Sequence, residues 1–205
     1  MTHIYLTRHG ESEHNLRTEV FMGRWPQSRL TSKGQSQARR LGERLAKEAK
    51  IKRIVCSSLP RTRETANIIA QQLKLSTVEE DPAFWELSKG SWEGTMGKQA
   101  IPPDVAQDRE QNPFTFRYPE GESYQDVWLR VYPAFDQWVN RFSGEEILFV
   151  VHGDVLRALL YHLIRFPQAR IDLFETDPCS LNLFRMEKKG AMLVRWNDGS
   201  HLTGL

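Results

Sequence analysis

The sequence predicts an α/β fold, a sandwich built on a mostly parallel sheet with an antiparallel edge. Three short apolar runs are each followed, at once or after a loop, by a segment in which apolar residues recur at helical spacing. Two more runs near the C-terminal end flank Lys189-Gly190, which lies near the turn between them. Alternating strands and helices favour parallel pairing, and the final pair of strands adds the antiparallel edge.

The first half of the chain supplies three strands and two helices. Residues 4–6 form a strand that ends at Arg8-His9-Gly10, and residues 13–29 lack a period and form a loop with at most one helical turn. Thr31 or Ser32 caps a helix that runs to about Ala49. The remaining elements are a buried strand at 53–57, a helix that opens at Pro60 and a short strand at 77–80.

The second half contains one irregular segment and the strongest strand signal. Residues 95–121 carry four prolines among polar residues. A stretch of this kind is a lid, a substrate-specificity segment or disordered, and short helices are compatible with it. Ser123 caps a long amphipathic helix, supported by Asp126 three residues on. Residues 146–151 form a buried strand, and a helix follows from Asp154 to about Ile164.

Size and composition indicate one globular domain in the cytoplasm. Of the 205 residues, 40% are hydrophobic and 26% are charged, as is typical of a soluble domain with an ample core. No segment is long and apolar enough to cross a bilayer, and the N-terminal residues lack the pattern of a secretory signal. The net charge of +2 is spread along the chain, which argues against a nucleic-acid partner. Cys56 and Cys179 belong to no paired zinc-ligand motif, so we expect two reduced cysteines and no metal.

Histidine and arginine recur where predicted strands end or helices begin. His9 follows Arg8 at the end of the first strand, and the glycine after it lets the backbone turn and an anion approach closely. A second histidine–glycine pair, His152-Gly153, ends the strongest strand. Arg61 lies at a helix start, where free N–H groups and the helix dipole favour anions. Each feature alone is better explained by an ordinary polar strand end or a surface ion pair. Together they indicate a phosphate site with His9 as nucleophile.

Glu86 is a carboxylate among large apolar residues and stands beside Trp85. Burial at this position would raise its pKa and make it a proton donor near neutral pH. The alternative is a side chain that packs its stem against Trp85 and leaves its carboxylate in water. The local sequence favours neither hypothesis over the other.

Six motifs occur along the chain in one order and together resemble those of a known family. They are Arg8-His9-Gly10-Glu11-Ser12, Leu30-Thr31 with Gly34-Gln35, the run 57–66, Glu86 with Gly90-Ser91-Trp92-Glu93-Gly94, Glu120-Gly121-Glu122-Ser123, and His152-Gly153. The set resembles the histidine phosphatase superfamily, often called the phosphoglycerate mutase-like family. The resemblance covers nearly the whole chain. It implies a three-layer α/β/α sandwich, a phosphohistidine intermediate, and neither a metal nor another cofactor.

Carried over residue by residue, the resemblance implies a role for each residue of the site. It makes His9 the nucleophile and Glu86 the general acid, and it places His152 beside the transferring phosphoryl group as the third catalytic residue. It gives phosphate-binding roles to Arg8, Asn15, Arg61 and Gly153, and it marks Gly23, Arg24 and Trp25 as candidate substrate contacts.

Two departures from the family pattern limit what the resemblance implies about the substrate. The loop from Gly23 to Leu30 is one residue longer than the commoner pattern and lacks its aspartate. Asp154 follows His152-Gly153, where the family often has a small or amide residue. A carboxylate at this position interacts favourably with the dipole of the helix that begins there, which is the role we favour, and it can also tune substrate choice.

The expected activity is that of a phosphoric monoester hydrolase of the histidine acid phosphatase type. It acts without a metal, through a phosphohistidine on His9, on a small metabolite such as a sugar phosphate, a nucleotide-related phosphate or α-ribazole phosphate. A cofactor-dependent phosphoglycerate mutase that uses the same site is the alternative, and the length of 205 residues favours hydrolysis. A binding module without catalysis is a third hypothesis, which conflicts with the completeness of the site.

The expected partner is a small phosphorylated substrate, with neither nucleic acid nor membrane. Specificity is expected to lie in residues 95–121 and in the loop that holds Arg24 and Trp25. Phe114 and Phe116 favour a substrate with a partly apolar body. The oligomeric state stays open, with a homodimer as one expected state.

Overall fold

A mixed six-stranded sheet forms the centre of the computed structural model, which describes residues 2–17, 19–95 and 101–205. The strands are Thr2–Arg8 (β1), Ile51–Cys56 (β2), Glu79–Glu80 (β3), Glu146–Val151 (β4), Leu181–Glu187 (β5) and Gly190–Asp198 (β6). The helices are Ser32–Glu48 (α1), Pro60–Leu73 (α2), Pro103–Gln111 (α3), Tyr124–Arg141 (α4) and Gly153–Ile164 (α5). The predicted α/β class is confirmed.

The sheet is parallel on one side and antiparallel at the other edge. The strand order is β3-β2-β4-β1-β5-β6, in which the first four strands run parallel and the last two run antiparallel to their neighbours. Because β1 and β4 are neighbours, Arg8 lies opposite Val151. The carboxyl ends of β1, β2 and β4 therefore meet at one edge of the sheet, which is where open α/β sheets bind ligands.

Alternate side chains of the central strands enter two separate hydrophobic cores. Leu148 and Val150 of β4 pack with residues of α1 and α2, whereas Phe149 and Val151 pack with residues of α4 and α5. This alternation follows from the two-residue period of a strand. The helices consequently cover both faces of the sheet and complete the predicted three-layer α/β/α arrangement.

The helices begin at the residues that capping chemistry predicts. The Thr31 hydroxyl accepts a hydrogen bond from the Gly34 N–H at 3.0 Å and caps α1. Ser123 and Asp126 form a capping box at the start of α4. Pro60 occupies the first turn of α2. None of the helices in the described ranges combines the length and apolar character needed to cross a bilayer.

Three elements differ in extent from their predicted ranges. β3 contains two residues rather than the predicted 77–80, because only Glu79 and Glu80 pair with β2, opposite Val55 and Cys56. The loop predicted at 13–29 contains one 3-10 turn, Glu13–Leu16. Within the predicted lid segment 95–121, α3 occupies the middle, while residues 96–100 lie outside the described residues.

The first turn of α1 packs against the loop that follows His9, with a glycine on each side. An ideal Cβ on Gly34 would lie 1.9 Å from the carbonyl oxygen of Glu11, and one on Gly10 would lie 2.5 Å from that of Gly34. We expect Gly34→Ala to lower the free energy of unfolding by about 1–3 kcal/mol, because the backbone must move to admit the methyl group. Activity should fall as well, since the displaced loop carries His9.

Urea unfolding of the Gly34→Ala protein measures this effect. Gly199→Ala is the matched control, because an ideal Cβ there has its nearest neighbour 4.0 Å away. If both variants unfold at the wild-type urea concentration, the close approach of α1 to the His9 loop does not constrain the fold.

Candidate active site

His9 lies at the carboxyl end of β1 and is held as a neutral ring. Its backbone N–H donates to the Val151 carbonyl at 3.0 Å, which ties it to the end of β4. Its Nδ1–H donates to the Gly10 carbonyl at 2.7 Å, and its Nε2 accepts from Arg61 Nε at 3.2 Å. These two contacts place the lone pair on Nε2. Burial, and then the charges of Arg61 and Arg8, lower the pKa of His9 well below its ordinary value.

Arg61, in the first turn of α2, is fully buried beside His9. Its Nη atoms donate to the carbonyls of Gly23 at 3.2 Å, Arg24 at 2.8 Å and Trp25 at 3.3 Å. The guanidinium therefore joins the nucleophile to the 23–25 loop. Trp25 has a φ of 26°, which is costly for a residue with a side chain, so these hydrogen bonds hold a strained turn in place.

Two buried side-chain nitrogens beside His9 have no partner among the described residues. They are Arg8 Nε and His152 Nδ1. The His152 ring lies 5.3 Å from the His9 ring, and its Nε2 lies 2.9 Å from Ser57 Oγ. When the Ser57 hydroxyl donates to Nε2, the proton of the neutral ring is on Nδ1. Because buried donors are nearly always hydrogen-bonded, this pair favours an anion with oxygen atoms next to His9.

Glu86 brings a carboxyl group to the same place. Its Oε1 accepts from the Leu87 N–H at 3.0 Å, and its carbonyl accepts from Arg130 Nη2 at 3.2 Å, which fixes the segment to α4. Burial, and then the negative charge of Asp154, raise the pKa of Glu86 to about 7. Of the two hypotheses for Glu86, this environment favours the desolvated carboxyl group over a carboxylate in water.

A cavity of about 340 Å³ opens beside these groups. Four of the predicted catalytic or phosphate-binding residues line it, namely Arg8, Asn15, Glu86 and Gly153. The other three, His9, Arg61 and His152, are fully buried around it. All seven predicted residues are therefore brought together, although they come from distant parts of the chain. Within residues 2–17, 19–95 and 101–205, no three His, Cys, Asp or Glu side chains are grouped to hold a metal ion.

Asn15 holds the loop after β1 in shape. Its Oδ1 accepts from the Ser12 N–H at 2.9 Å and from the Ser12 hydroxyl at 2.8 Å. Its Nδ2 lies 3.4 Å from His14 Nε2. Asn15 thus presents its amide group to the cavity from a 3-10 turn whose conformation it also fixes.

None of the three candidate substrate contacts lines this cavity. Gly23 and Arg24 do not line it, and both give their carbonyls to Arg61. The Arg24 guanidinium lies over the Trp85 ring at 5.1 Å. Trp25 lines a neighbouring cavity of about 450 Å³. Of the three, Trp25 is the one that lines either of these two cavities.

Asp154 makes more contacts than helix capping requires. It lies in the first turn of α5, as predicted, and its Oδ1 accepts from the Tyr124 hydroxyl and from Arg157 Nη1, the latter at 2.9 Å. Although burial opposes its ionisation, Lys89 and then Arg157 hold the pKa of Asp154 at about 2. The permanent negative charge is one of the causes that raise the pKa of Glu86.

The cavity lining includes four ionisable residues that had no predicted role in the site: His14, Arg17, Lys89 and Arg157. The His14 ring lies 5.4 Å from the His9 ring, and burial, with the charges of Arg61 and Arg8, lowers its pKa to about 3. His14 and Lys89 stand next to recognised motif residues in the sequence, and that adjacency was the only signal. Arg157 carries no such signal, because one turn of α5 brings it to the cavity.

Known proteins match this chain along nearly its whole length. A sequence profile described as the histidine phosphatase superfamily (branch 1) matches residues 4–199. Phosphoglycerate mutase-like protein 4 of Arabidopsis thaliana is 32% identical over 203 residues, which cover 97% of this chain and 86% of that protein. The structure of Bacillus stearothermophilus YhfR has a TM-score of 0.88 and 29% identity, covering 98% of this chain and 100% of the other. The alpha-ribazole phosphatase of Shigella flexneri has a TM-score of 0.81 and 26% identity, covering 96% of each chain.

Proposed function

Since the chain belongs to the histidine phosphatase superfamily, we propose that it is a metal-independent phosphomonoesterase that hydrolyses a small phosphorylated metabolite through a phosphohistidine on His9. One observation carries the proposal. The neutral His9 lies beside two buried side-chain nitrogens, Arg8 Nε and His152 Nδ1, that have no partner in the described ranges. The proposal takes 1–205 as one domain, with 95–121 as its lid or specificity segment.

In the first step His9 Nε2 attacks phosphorus, and the bond between phosphorus and the alcohol oxygen breaks. Arg61 Nε occupies the Nε2 lone pair in this structure, so it has to move from Nε2 to a phosphoryl oxygen when the substrate binds. Arg8, Arg61 and His152 then donate to the non-bridging oxygens, and such fixed donors supply most of the catalysis in phosphoryl transfer. Glu86 gives its proton to the leaving alcohol oxygen.

In the second step a water molecule attacks the phosphohistidine and the bond between His9 and phosphorus breaks. The Glu86 carboxylate takes a proton from this water, inorganic phosphate leaves, and both side chains return to their starting states. A pKa of about 7 suits both steps at neutral pH, since the acid and the carboxylate are then both populated.

Glu86→Gln is expected to lower the single-turnover rate of phosphorylation by alkyl phosphates by about 100-fold, because the leaving alkoxide loses its proton donor. The effect on p-nitrophenyl phosphate should be much smaller, since nitrophenolate leaves without a proton. For alkyl phosphates, wild-type phosphorylation should also slow as the pH rises above about 7, where the raised pKa leaves Glu86 ionised. Single-turnover rates between pH 5 and 9 measure both effects.

The matched control for this variant is Glu79→Gln, which changes a carboxylate on β3 that does not line the cavity. It should keep the wild-type pH profile. Equal losses of the single-turnover phosphorylation rate on alkyl and nitrophenyl esters in Glu86→Gln would contradict the role of proton donor.

A panel of phosphomonoesters assayed with a chelator present tests the proposed function as a whole. Rapid quenching during turnover should trap an acid-labile phosphoenzyme. The proposal fails if no ester in the panel is hydrolysed.

The similarity to a phosphoglycerate mutase-like protein favours a second candidate function, a cofactor-dependent phosphoglycerate mutase. A mutase uses the same first step but must keep the phosphohistidine from water until the phosphoryl group returns to a substrate. Conversion of 3-phosphoglycerate to 2-phosphoglycerate, measured with and without 2,3-bisphosphoglycerate, separates the two functions. Release of inorganic phosphate without isomerisation supports the phosphatase.

A further inference from the structure

Ser57, the first residue after β2, is fully buried beside His152 and had no predicted role. Its backbone N–H donates to the Val150 carbonyl at 3.2 Å, and its carbonyl accepts from the Thr62 hydroxyl at 2.8 Å. These contacts tie Ser57 to the end of β4 and to the first turn of α2. They hold its side-chain hydroxyl 2.9 Å from Nε2 of the His152 ring.

The Ser57 hydroxyl has two neighbours at hydrogen-bond distance among the described residues. One is the Leu59 N–H, 3.4 Å from Oγ, which is itself a donor and cannot take the hydroxyl proton. The other is His152 Nε2. Because buried hydroxyl groups are nearly always hydrogen-bonded, the proton of Ser57 points to Nε2 and the ring accepts it there.

The two neutral tautomers of His152 differ in the number of buried groups that they leave unpaired. With the ring proton on Nδ1, Ser57 donates to Nε2, and the Nδ1–H alone lacks a partner in the described ranges. With the ring proton on Nε2, that N–H donates to Ser57 Oγ, so both the hydroxyl proton and the Nδ1 lone pair lack a partner there. Since unpaired buried groups are costly, Ser57 favours the Nδ1–H tautomer.

The tautomer matters because the His152 ring is neutral. Burial, and then the positive charge of Arg61, lower the pKa of His152 well below its ordinary value. A neutral imidazole has a single N–H, whereas the guanidinium groups of Arg8 and Arg61 are donors at neutral pH in every arrangement. Of the three proposed donors to the phosphoryl group, His152 is therefore the one whose capacity to donate depends on the position of a proton.

We infer that Ser57 is a positioning residue for phosphoryl transfer, whose hydroxyl holds the ring proton of His152 on Nδ1, where it donates to the transferring phosphoryl group. This inference rests on the proposed phosphatase function. Ser57 itself does not line the phosphate cavity, so it acts through His152. Without the hydroxyl, the ring is free to carry its proton on Nε2 and to present the Nδ1 lone pair to the phosphoryl oxygens, which repel it.

Ser57→Ala removes the hydroxyl and leaves the rest of the site unchanged. Its single-turnover phosphorylation by p-nitrophenyl phosphate is expected to be about 10-fold slower than that of the wild-type protein, the usual effect of one lost hydrogen bond. This ester is chosen because nitrophenolate leaves without a proton from Glu86. The rate therefore depends on the donors to the phosphoryl group. Ser57→Thr keeps a hydroxyl and should restore the rate.

Ser180→Ala is the matched control. Ser180 is fully buried as well, but its hydroxyl has no hydrogen-bond partner within the described ranges, and it does not line the phosphate cavity. This variant should keep the wild-type rate of phosphorylation.

Nitrogen-15 NMR of histidine-labelled protein measures the tautomer itself. In the wild-type protein, with and without inorganic phosphate, His152 Nδ1 should have the chemical shift of a protonated ring nitrogen and Nε2 that of a nitrogen with a lone pair. The spectrum of His152→Asn identifies the two signals. In phosphate-free Ser57→Ala the fraction with the proton on Nε2 should rise, and in Ser57→Thr it should fall again. A general loss of stability does not imitate this exchange of signals.

The two readouts together decide the inference. A change in only one of them in Ser57→Ala, or in neither, overturns it. A wild-type His152 that carries its proton on Nε2 also overturns it, and this measurement stands even if Ser57→Ala does not fold.

Failure of the proposed function looks different. A wild-type protein that hydrolyses p-nitrophenyl phosphate, with an unchanged rate and tautomer in Ser57→Ala, overturns the role of Ser57 and leaves the phosphatase standing. A wild-type protein that hydrolyses no phosphomonoester overturns the proposed function, and the role of Ser57 in phosphoryl transfer with it.

Discussion

Replacing His9 by alanine is expected to lower kcat/KM for every phosphomonoester by about 10⁴-fold or more, because the variant has no nitrogen to form the phosphoenzyme. In the wild-type protein the hydrogen bond from His9 Nδ1–H to the Gly10 carbonyl leaves the lone pair on Nε2, where it accepts from Arg61 Nε until the substrate binds. Steady-state assays over a range of esters measure the loss. Rapid quenching should show no acid-labile phosphoprotein in the variant.

His3→Ala is the control for this experiment. His3 lies on the same strand, and its side chain is 34% exposed at the far end from the cavity. It should retain wild-type turnover and phosphoenzyme formation. A folded His9→Ala protein that still forms a phosphoenzyme would show that another residue is the nucleophile.

Arg61→Met is expected to lower kcat/KM by about 10³-fold and to reduce stability at the same time. The loss of activity follows from removing a donor to the transferring phosphoryl group. The loss of stability follows from the three carbonyls of the 23–25 loop, which lose their shared partner inside the protein. Thermal unfolding and kinetics, measured well below the unfolding transition, separate the two effects.

Arg63→Met is the control for Arg61→Met, because it removes an arginine from the surface of the same helix rather than from the buried site. Arg63 lies two residues along the same helix, is 53% exposed and pairs with Glu80 on the surface. Because exposed ion pairs contribute little, this control should change neither turnover nor stability appreciably. If Arg61→Met kept wild-type turnover and stability, as is expected of Arg63→Met, the hydrogen bonds of Arg61 to His9 and to the loop would contribute to neither.

The link between Arg61 and the 23–25 loop also bears on the predicted substrate contacts. The backbone carbonyls of Gly23, Arg24 and Trp25 are used to hold the guanidinium, and in return the guanidinium holds a strained turn. In the proposed mechanism Arg61 moves to a phosphoryl oxygen, and these hydrogen bonds must then adjust. The proposal therefore couples the loop to phosphate binding through Arg61 itself, even where the side chains of the loop do not reach the cavity.

Local patterns in the sequence determined the fold class, the order of the main elements and the placement of His9, Arg61 and His152 at strand ends or a helix start. These features depend on short-range patterns: the apolar run at 146–151, the caps at Thr31 and Ser123, and the glycines that follow His9 and His152. The resemblance to a known family then supplied Asn15 and assigned a role to each of the seven site residues. The raised pKa of Glu86 was one of two open hypotheses, because a single flanking tryptophan does not establish burial.

Only the tertiary structure decided how these residues are used. The pairing of β1 with β4 brings His9 and His152 side by side, and no local signal specifies which strands are neighbours. The occupation of Arg61 by loop carbonyls and the sharing of Asp154 between Lys89 and Arg157 likewise depend on contacts between distant segments. Local sequence determines where a strand ends or a helix begins, but the charges that surround a buried side chain depend on which distant segments pack against it.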